Sequence, residues 1–369
     1  MFRSKWWRFV PFLPLVVLLC GVNVYADAGN IFHSPIDAVV STLLSGYPAY
    51  VESRNLPERE LCYRYICRMS DDIECIILGG STAKTVSSFD VGEAKFANLG
   101  ETNGRIDDAI ALLGVLRSLG KHKHIKRIIF TPQEWYFSRL MFEQDDNEAE
   151  REALMPYTNY MMNVIDGKDT SDVNIPEISF TANSSLLDIT FSLAYFQANI
   201  SYITGSYVFS GNRFGIMNDQ YEGHYYMPDG SRVYGKNWRE RDEHRIIRFA
   251  DKDILDREQI LRYVGHIDTE QLNLFAKLVE YLLARGITVE LYLCPISPAL
   301  WDKLDPNKYP FFTELEDCML KLAEKYSLRV IGSYNPYKVG ITNADYKDTR
   351  HIHRESTSKY FNFKPVVND

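Results

Sequence analysis

The chain has 369 residues, of which 46% are hydrophobic and 24% are charged. These proportions are typical of a globular protein with one large domain or two modest ones, and they argue against disorder. The formal net charge of −8 argues against a nucleic-acid partner, because phosphate binding needs clustered Lys and Arg. The richest basic run, residues 121–127, follows a predicted helix and is interpreted as a solvated turn.

The first 26 residues predict export across a membrane. An apolar run at 9–24 is preceded by three basic residues, namely Arg3, Lys5 and Arg8. Such a segment keeps the N-terminus in the cytoplasm and sends the rest of the chain outward. Two outcomes remain open. The run is either a single-pass anchor in the cell membrane, with Trp6 and Trp7 at the interface and a periplasmic main domain, or a signal peptide cleaved after Ala26 to give a secreted protein.

Six cysteines occur, and one of them, Cys20, lies in the apolar run. The remaining five are an odd number, so at least one is free or pairs between chains. Cys62, Cys67 and Cys75 are near enough in sequence for one disulfide in an oxidising compartment, and both outcomes stay open. Their spacing matches no zinc signature, so neither a metal site nor a cofactor is predicted.

Short apolar runs bounded by glycine alternate with helical patterns in the rest of the chain. The predicted strands lie at 74–78, 95–99, 127–130, 287–293 and 328–331. The predicted helices lie at 106–119, from a cap at Asp268 or Thr269 to Gly286, and at 312–326. This alternation indicates an α/β fold, a three-layer α/β/α sandwich with a central parallel sheet, whose reactive residues gather outside the carboxyl ends of the strands.

We divide the chain into a membrane segment at 1–26, a stem at 27–70 and a main domain at 71–369. Between about 140 and 265 the alternation stops, and aromatic and polar residues dominate. This stretch is predicted to be an irregular insertion that caps one end of the sheet. Its aromatic residues either line a sugar-binding cleft or pack a loop-rich subdomain.

Ser81 follows two glycines at the end of the first predicted strand of the sheet. A tight turn there exposes a hydroxyl beside backbone amides that can stabilise an oxyanion. Glycine-rich turns also cradle phosphates, but Leu78 and Ala83 stand where a P-loop needs its two glycines. Ser81 is therefore a candidate nucleophile, and a capping serine in a plain turn is the structural alternative.

A second group of reactive residues lies near the C-terminus. Asp348 and His351 are three residues apart, so the carboxylate can accept the Nδ1–H of the imidazole and leave Nε2 free to act as a base. The alternative is an ordinary surface turn. His353 competes for the same role, but alternation in an extended segment places it on the other side.

These motifs in this order resemble the block pattern of the SGNH (GDSL-like) hydrolases. The matching motifs are Gly79-x-Ser81, Asn98-Leu-Gly100 with Gly104, and Asp348-x-x-His351. Residues 23–32 and 332–337 are also similar to a membrane-anchored branch of SGNH-like proteins of bacterial envelopes. The resemblance implies an SGNH, flavodoxin-like form of the sandwich and covers both ends of the extracytoplasmic part, but not the insertion.

The resemblance also implies roles in ester chemistry. Ser81 is the nucleophile, His351 the base and then the acid, and Asp348 the residue that orients His351. The oxyanion is held by the Ser81 amide together with Gly100, Asn103 or Gly104. The chain departs from the family at two places: Asn103 aligns with the second-block glycine, and residues 131–135 lack the third-block asparagine. Gln133 or Asn103 is a substitute donor.

The leading hypothesis is an SGNH-type esterase or O-acyltransferase that acts on a cell-envelope or exported polysaccharide. Its partners are an acylated glycan or an acyl donor and the membrane, and the sequence leaves hydrolysis or transfer, the acyl group and the oligomeric state open. A non-catalytic envelope protein that binds glycan or assists polysaccharide assembly is the second hypothesis. A phosphatase is the third, but Asp71 and Asp72 lie at the wrong end of the first strand to supply a metal there.

Overall fold

A computed structural model describes residues 10–27, 32, 34–51, 56–137, 148–170, 173, 175, 178, 180, 186–204, 213–214, 224–236, 243–263, 267–305 and 307–361. The basic and tryptophan residues at positions 3–8, on which the export prediction depends, lie outside this part of the chain.

The described residues form strands and helices that alternate along much of the chain. The strands are β1 (Ala49–Val51), β2 (Cys75–Gly79), β3 (Phe96–Gly100), β4 (Arg127–Thr131), β5 (Arg213–Phe214), β6 (His224–Tyr226), β7 (Arg232–Val233), β8 (Thr288–Leu293) and β9 (Arg329–Gly332). The α-helices are α1 (Leu13–Ala26), α2 (Ile36–Leu44), α3 (Glu58–Arg68), α4 (Ser88–Val91), α5 (Ile106–Ser118), α6 (Glu134–Phe137), α7 (Glu148–Ile165), α8 (Leu186–Thr190), α9 (Leu193–Thr204), α10 (Glu243–Tyr263), α11 (Thr269–Leu283), α12 (Pro298–Trp301), α13 (Phe311–Tyr326), α14 (Pro336–Val339) and α15 (Arg354–Phe361).

Five of the strands form a parallel sheet in the order β3-β2-β4-β8-β9. Each lies within one residue of its predicted position, because a strand covered on both faces is a continuous apolar run that the sequence displays directly. All five residues of β2 are buried. The architecture is α/β, with helices flanking this sheet, and it is compatible with the predicted three-layer sandwich.

The order of the strands reverses between β2 and β4. The chain goes from β2 to β3 on one side and then returns to β4 on the other, so the direction of the connections reverses at this point. Open α/β sheets bind ligands outside the carboxyl ends of the strands at such a reversal. Ser81 follows β2, and Gln133 follows β4.

Helix α11 shows how local sequence sets a helix in this fold. The Asp268 side chain accepts hydrogen bonds from the amides of Glu270 and Gln271 at 2.9 and 3.3 Å, as expected of an N-cap. Its apolar face packs on the sheet, where the Phe275 ring meets the Phe130 ring edge to face at 5.2 Å between centroids.

The described part of 27–70 is not a stem. Val39 and Val40 of α2 and Leu61 and Ile66 of α3 are buried in the main hydrophobic core. The apolar side chains of both helices recur at helical spacing, so each helix has a face that must be covered. The helices of this segment therefore belong to the main core and not to a stem.

A second, antiparallel sheet lies at the edge of the parallel one, in the order β5-β1-β6-β7. The turn between β6 and β7 reaches strand β3, where the Asn98 amide donates to the Asp229 carbonyl at 2.7 Å. A methyl group at Gly230 would lie 2.3 Å from the Asn98 carbonyl oxygen, so only glycine permits this approach. The edge strand of the main sheet is thereby covered.

The region at 140–265 is more regular than predicted, since it contains the long helices α7, α9 and α10. Helix α7 packs closely on α5: a methyl group at Gly114 would lie 2.4 Å from the Tyr157 carbonyl oxygen. The buried residues of α7 include Leu154, Tyr157, Met161 and Val164, which follow a helical spacing. The prediction of an irregular insertion overlooked this pattern.

Two further outcomes concern the cysteines and the apolar N-terminal run. All six cysteines are free thiols. Most of the described part of the run lies in helix α1 (Leu13–Ala26), and among the described residues no helix is both long enough and apolar enough to cross a membrane.

A buried ion cluster joins the start of helix α3, the turn after β2 and the antiparallel sheet. The Glu58 carboxylate binds Lys84 Nζ and, at 2.5 Å, Arg232 Nη2, while the Arg232 amide donates to the Lys84 carbonyl at 2.6 Å. Burial would raise the pKa of Glu58, but Lys84 and Arg232 outweigh it and hold that pKa well below its usual value. Glu58 therefore fastens the turn that carries Ser81.

Replacing Glu58 by Ala leaves Lys84 and Arg232 buried without their shared carboxylate. We expect the free energy of unfolding to fall by about 3 kcal/mol, measured by urea denaturation of the full chain.

The matched control is Glu74→Ala, because Glu74 pairs with Lys95 and Lys126 at 3.0 and 2.7 Å on the exposed rim. That substitution should cost about 1 kcal/mol or less. Equal effects at the two positions would contradict a supporting role for Glu58.

Candidate functional site

Two distant parts of the chain meet at the carboxyl end of β2. The His351 Nε2 atom lies 2.7 Å from Ser81 Oγ, and the His351 Nδ1 atom lies 2.8 and 2.9 Å from the two carboxylate oxygens of Asp348. The structure thus brings together the three residues that the sequence analysis selected. A carboxylate on Nδ1 fixes the imidazole so that Nε2 can accept the serine proton.

The turn that carries Ser81 depends on close backbone contacts. A methyl group at Gly79 would lie 1.5 Å from Thr131 Oγ1, and one at Gly104 would lie 2.5 Å from the Gly79 carbonyl oxygen. Both positions therefore require glycine. Ser81 begins a 3₁₀ turn, and the first amides of a helical turn have no intrahelical partner. The Asn98 side chain holds the far end of the turn by donating to the Ala83 and Val86 carbonyls at 2.8 and 2.7 Å.

The loop that carries Asp348 and His351 is closed on itself. Tyr346 and Ile352 form an antiparallel bridge, and the Lys347 amide donates to the His351 carbonyl at 3.0 Å. Within the loop, Asp348 Oδ1 accepts the amides of Arg350 and His351, each at 2.9 Å. The carboxylate that orients the imidazole therefore also shapes the backbone around it.

Charges at the site favour a carboxylate beside a neutral imidazole. Burial would raise the pKa of Asp348, but His351, Lys347 and the Arg350 amide outweigh it, so that pKa lies well below its usual value. Burial lowers the pKa of His351, Asp348 opposes this, and Lys347 adds to the lowering, so the net pKa falls below the ordinary value of 6.5. At neutral pH His351 is a free base.

The insertion contributes a buried aromatic wall that the sequence analysis did not identify. The Tyr234 ring packs edge to face on the His351 ring at 6.4 Å, and Lys347 Nζ lies 3.5 Å from the centroid of the Tyr234 ring. Tyr234 also contacts the His224 ring at 5.1 Å. No motif marks these residues, because their role arises only when the β6–β7 hairpin meets the loop.

The three predicted oxyanion donors have different surroundings. The Gly100 amide donates to the Asn98 side-chain oxygen of its own strand at 2.9 Å, so its hydrogen is already used. Gly104 packs on the backbone of Gly79 and Gly80, the two residues before Ser81. Asn103 adopts a left-handed backbone with φ of 52° and its carbonyl accepts from Arg151 Nη2 at 2.8 Å. Of the three, Gly104 has the clearest contact with the nucleophile turn.

Gln133 lies on the other side of the same turn. A methyl group at Gly80 would lie 2.2 Å from Gln133 Oε1, so the side-chain amide packs against the residue before Ser81. Gln133 is 5% exposed, and its Nε2 has no hydrogen-bond partner within the described part of the chain. A buried N–H group without a partner is costly, and such groups are rare in native structures.

His353 does not take part in the site contacts. Its amide donates to the Asp345 carbonyl at 2.8 Å, and its carbonyl accepts from the Ser356 and Thr357 amides in the first turn of α15. The backbone of His353 therefore joins the loop to the start of the last helix, and its ring is buried. Among the described residues, no group of three or more His, Cys, Asp or Glu side chains is placed to hold a metal ion.

Comparison with known proteins gives no family assignment. No protein-family model matches the chain, and no curated protein sequence matches it.

The reactivity of Ser81 should depend on pH through His351. Because the base must be neutral, the rate at which a fluorophosphonate labels Ser81 should rise through a pKa below 6.5 and then become level. Lys347→Met removes a cation that lowers the pKa of His351, so the rising limb should move to higher pH.

Lys325→Met is the control for loss of one positive charge, since Lys325 is an exposed residue of α13 that contacts the Tyr326 hydroxyl at 2.9 Å. Its pH profile should match that of the unaltered chain. An unshifted profile in Lys347→Met would show that Lys347 does not influence the base.

Proposed function

We propose that the chain is an extracytoplasmic SGNH-type serine esterase or O-acyltransferase that acts on an ester of a cell-envelope or exported polysaccharide. The observation that carries the proposal is the hydrogen-bonded series from Ser81 through His351 to Asp348 at the strand-order reversal of a parallel sheet. The order of the motifs along the chain supports the SGNH form of this fold over other doubly wound sheets.

The first half-reaction forms an acyl enzyme. The Ser81 oxygen attacks the ester carbonyl while His351 Nε2 accepts the serine proton, and Asp348 stabilises the imidazolium that results. The tetrahedral oxyanion then collapses, the C–O bond to the leaving alcohol breaks, and His351 returns the proton to that alcohol. The acyl group remains on Ser81 as an ester.

The second half-reaction determines whether the enzyme is an esterase or an acyltransferase. His351 removes a proton from an incoming hydroxyl, whose oxygen attacks the acyl-Ser81 carbonyl. The bond between the carbonyl carbon and Ser81 Oγ then breaks, and His351 returns the proton to the serine oxygen. Water as the attacking group gives hydrolysis, and a glycan hydroxyl gives acyl transfer. The side chains of Asp348 and His351 are 23% and 20% exposed, which supports access of a substrate from solvent.

The proposed location is the outer face of a cell membrane, with the main domain held there by the N-terminal segment. The similarity of residues 23–32 and 332–337 to membrane-anchored envelope proteins supports both this location and a glycan ester as the substrate. Polysaccharides that are assembled or exported at the membrane would then be within reach of Ser81.

For the oxyanion we propose the amides of Ser81 and Gly104 together with Gln133 Nε2. Gln133 follows β4 where the family has an asparagine, its amide packs on Gly80, and its N–H group has no partner among the described residues. A donor held ready without a ground-state partner can be satisfied by charge that develops in the transition state. The longer side chain of glutamine compensates for the departure from the family pattern.

Ser81→Ala should abolish labelling of the purified full chain by a fluorophosphonate probe, because the attacking oxygen is absent. Release of the acyl group from an O-acetylated polysaccharide should be lost together with the labelling, and both are measured on the same preparation.

His353→Gln is the control, since His353 lies two residues from the base and its backbone hydrogen bonds are to Asp345, Ser356 and Thr357. It should keep its labelling. Labelling of Ser81→Ala at the original level would overturn the proposal, and a folded chain that is never labelled would favour a non-catalytic glycan-binding protein.

Gln133→Ala should lower kcat for ester hydrolysis by about 10²- to 10³-fold with little change in KM. Gln133→Asn, which restores the family's residue type, should recover part of the loss. A change confined to KM, or to thermal stability, would show that Gln133 only fills space beside Gly80.

A further inference from the structure

Helix α1 is apolar on all sides and is exposed on all sides over its first turns. Residues 11–18 are all exposed, including Leu13, Leu15, Val17 and Leu18 at 55–62%. A helix in water has one apolar face against its protein and a polar face outside, whereas a helix that is apolar all round must be covered all round. A second protein chain would cover only one side of it.

The last turns of α1 pack against α9, and the contacts fix the direction of the two helices. The Tyr195 hydroxyl donates to Asp27 Oδ1 at 2.7 Å, and Asn199 Nδ2 donates to Asn23 Oδ1 at 3.2 Å. Going four residues toward the C-terminus of α9, from Tyr195 to Asn199, moves the contact four residues toward the N-terminus of α1, from Asp27 to Asn23. The helices are antiparallel, and α9 runs along α1 toward its exposed apolar part.

The Asn23 side chain of α1 binds backbone carbonyls at the junction between α8 and α9. Its Nδ2 donates to the Ile189, Thr190 and Ser192 carbonyls at 3.2, 3.0 and 2.9 Å. The Ile189 and Ser192 carbonyls also accept the backbone amides of Ser192 and Phe196, each at 3.0 Å, so Asn23 adds a further donor to them. An apolar environment offers these carbonyls no water, and Asn side chains commonly join membrane helices in this manner.

The segment α8–α9 has its own exposed apolar surface next to α1. Its large exposed side chains are Leu187, Phe191, Leu193, Ile200 and Ile203, at 37–68%. Scattered apolar residues are ordinary on a protein surface, but five large ones on two consecutive helices and their junction, beside an apolar helix, indicate an interaction site.

We propose that α8 and α9 are a second membrane contact, which lies in the outer leaflet of the bilayer against α1. This inference rests on the proposed membrane location and not on the proposed ester chemistry. The occupant is lipid because it must surround α1, and because the basic residues at 3, 5 and 8 and the tryptophans at 6 and 7 precede α1, as expected at a headgroup interface. The insertion is then joined to the anchor at the membrane surface.

The test places a fluorescent bimane label on single cysteines of the full chain in vesicles of phosphatidylethanolamine and phosphatidylglycerol, with and without nitroxide-labelled lipid. The three cysteines that are not buried are first replaced, by Cys20→Ala, Cys67→Ser and Cys318→Ser, so that the label does not react with them. The test position is Ile203→Cys on α9. Leu15→Cys on α1 is the positive control, and Leu320→Cys on α13 is the exposed control outside the apolar surface.

We expect lipid nitroxide to quench the label at 203 about as strongly as at 15, with no quenching at 320. Quenching at 203 no stronger than at 320 would overturn the proposal. A label at 203 that is blue-shifted yet unquenched would also overturn it, because the apolar surface would then be covered by protein, such as a second copy of the chain.

The variant Asn23→Leu tests whether the hydrogen bonds of Asn23 are needed to hold α8 and α9 beside α1 in the membrane. It should leave quenching at 15 intact and reduce quenching at 203, and undiminished quenching at 203 would overturn the role of Asn23. Fluorophosphonate labelling is measured on the same samples. Lost quenching with retained labelling counts against the membrane contact alone, and lost labelling with retained quenching counts against the ester chemistry alone.

Discussion

The hydrogen bond between Ser81 and His351 is the interaction on which the proposed chemistry of this protein depends. It joins residues 270 positions apart at a distance of 2.7 Å. Parallel strands make the contact possible because all their carboxyl ends lie at one edge of the sheet, so a turn after β2 and a loop beyond β9 open on the same crevice. Packing sets its length, since Gly79 and Gly104 allow three backbone segments to approach closely behind Ser81.

The surroundings of this hydrogen bond come from every part of the fold. Glu58 at the start of helix α3 binds Lys84 at the end of the Ser81 turn, and Tyr234 of the insertion packs on the His351 ring. The insertion is therefore not a separate lid on a finished site. It provides one wall of the site through Tyr234 and part of the support of the nucleophile through Arg232.

Patterns that are local in sequence were predictable, and contacts between distant segments were not. The five parallel strands were found within one residue because a buried strand is a visible apolar run, and Ser81, Asp348 and His351 lie in short motifs. Helix α7 has an equally regular apolar face, but a proline and several tyrosines and asparagines obscured it. The Glu58 cluster, the Tyr234 wall and the occupied Gly100 amide depend on which segments meet, and no spacing in the sequence encodes that.

The loop between Tyr346 and Ile352 holds Asp348 and His351 in place largely by hydrogen bonds within itself. The acid–base pair is complete within one short stretch, because the bridge, the carboxylate and both amides that it accepts are all local. The rest of the protein adds the contact to Ser81, the Tyr234 ring against His351 and the Ser297 amide, which donates to the Thr349 carbonyl at 2.9 Å. The loop therefore sets the geometry of the pair by its own hydrogen bonds, and its outer contacts position that finished pair against Ser81.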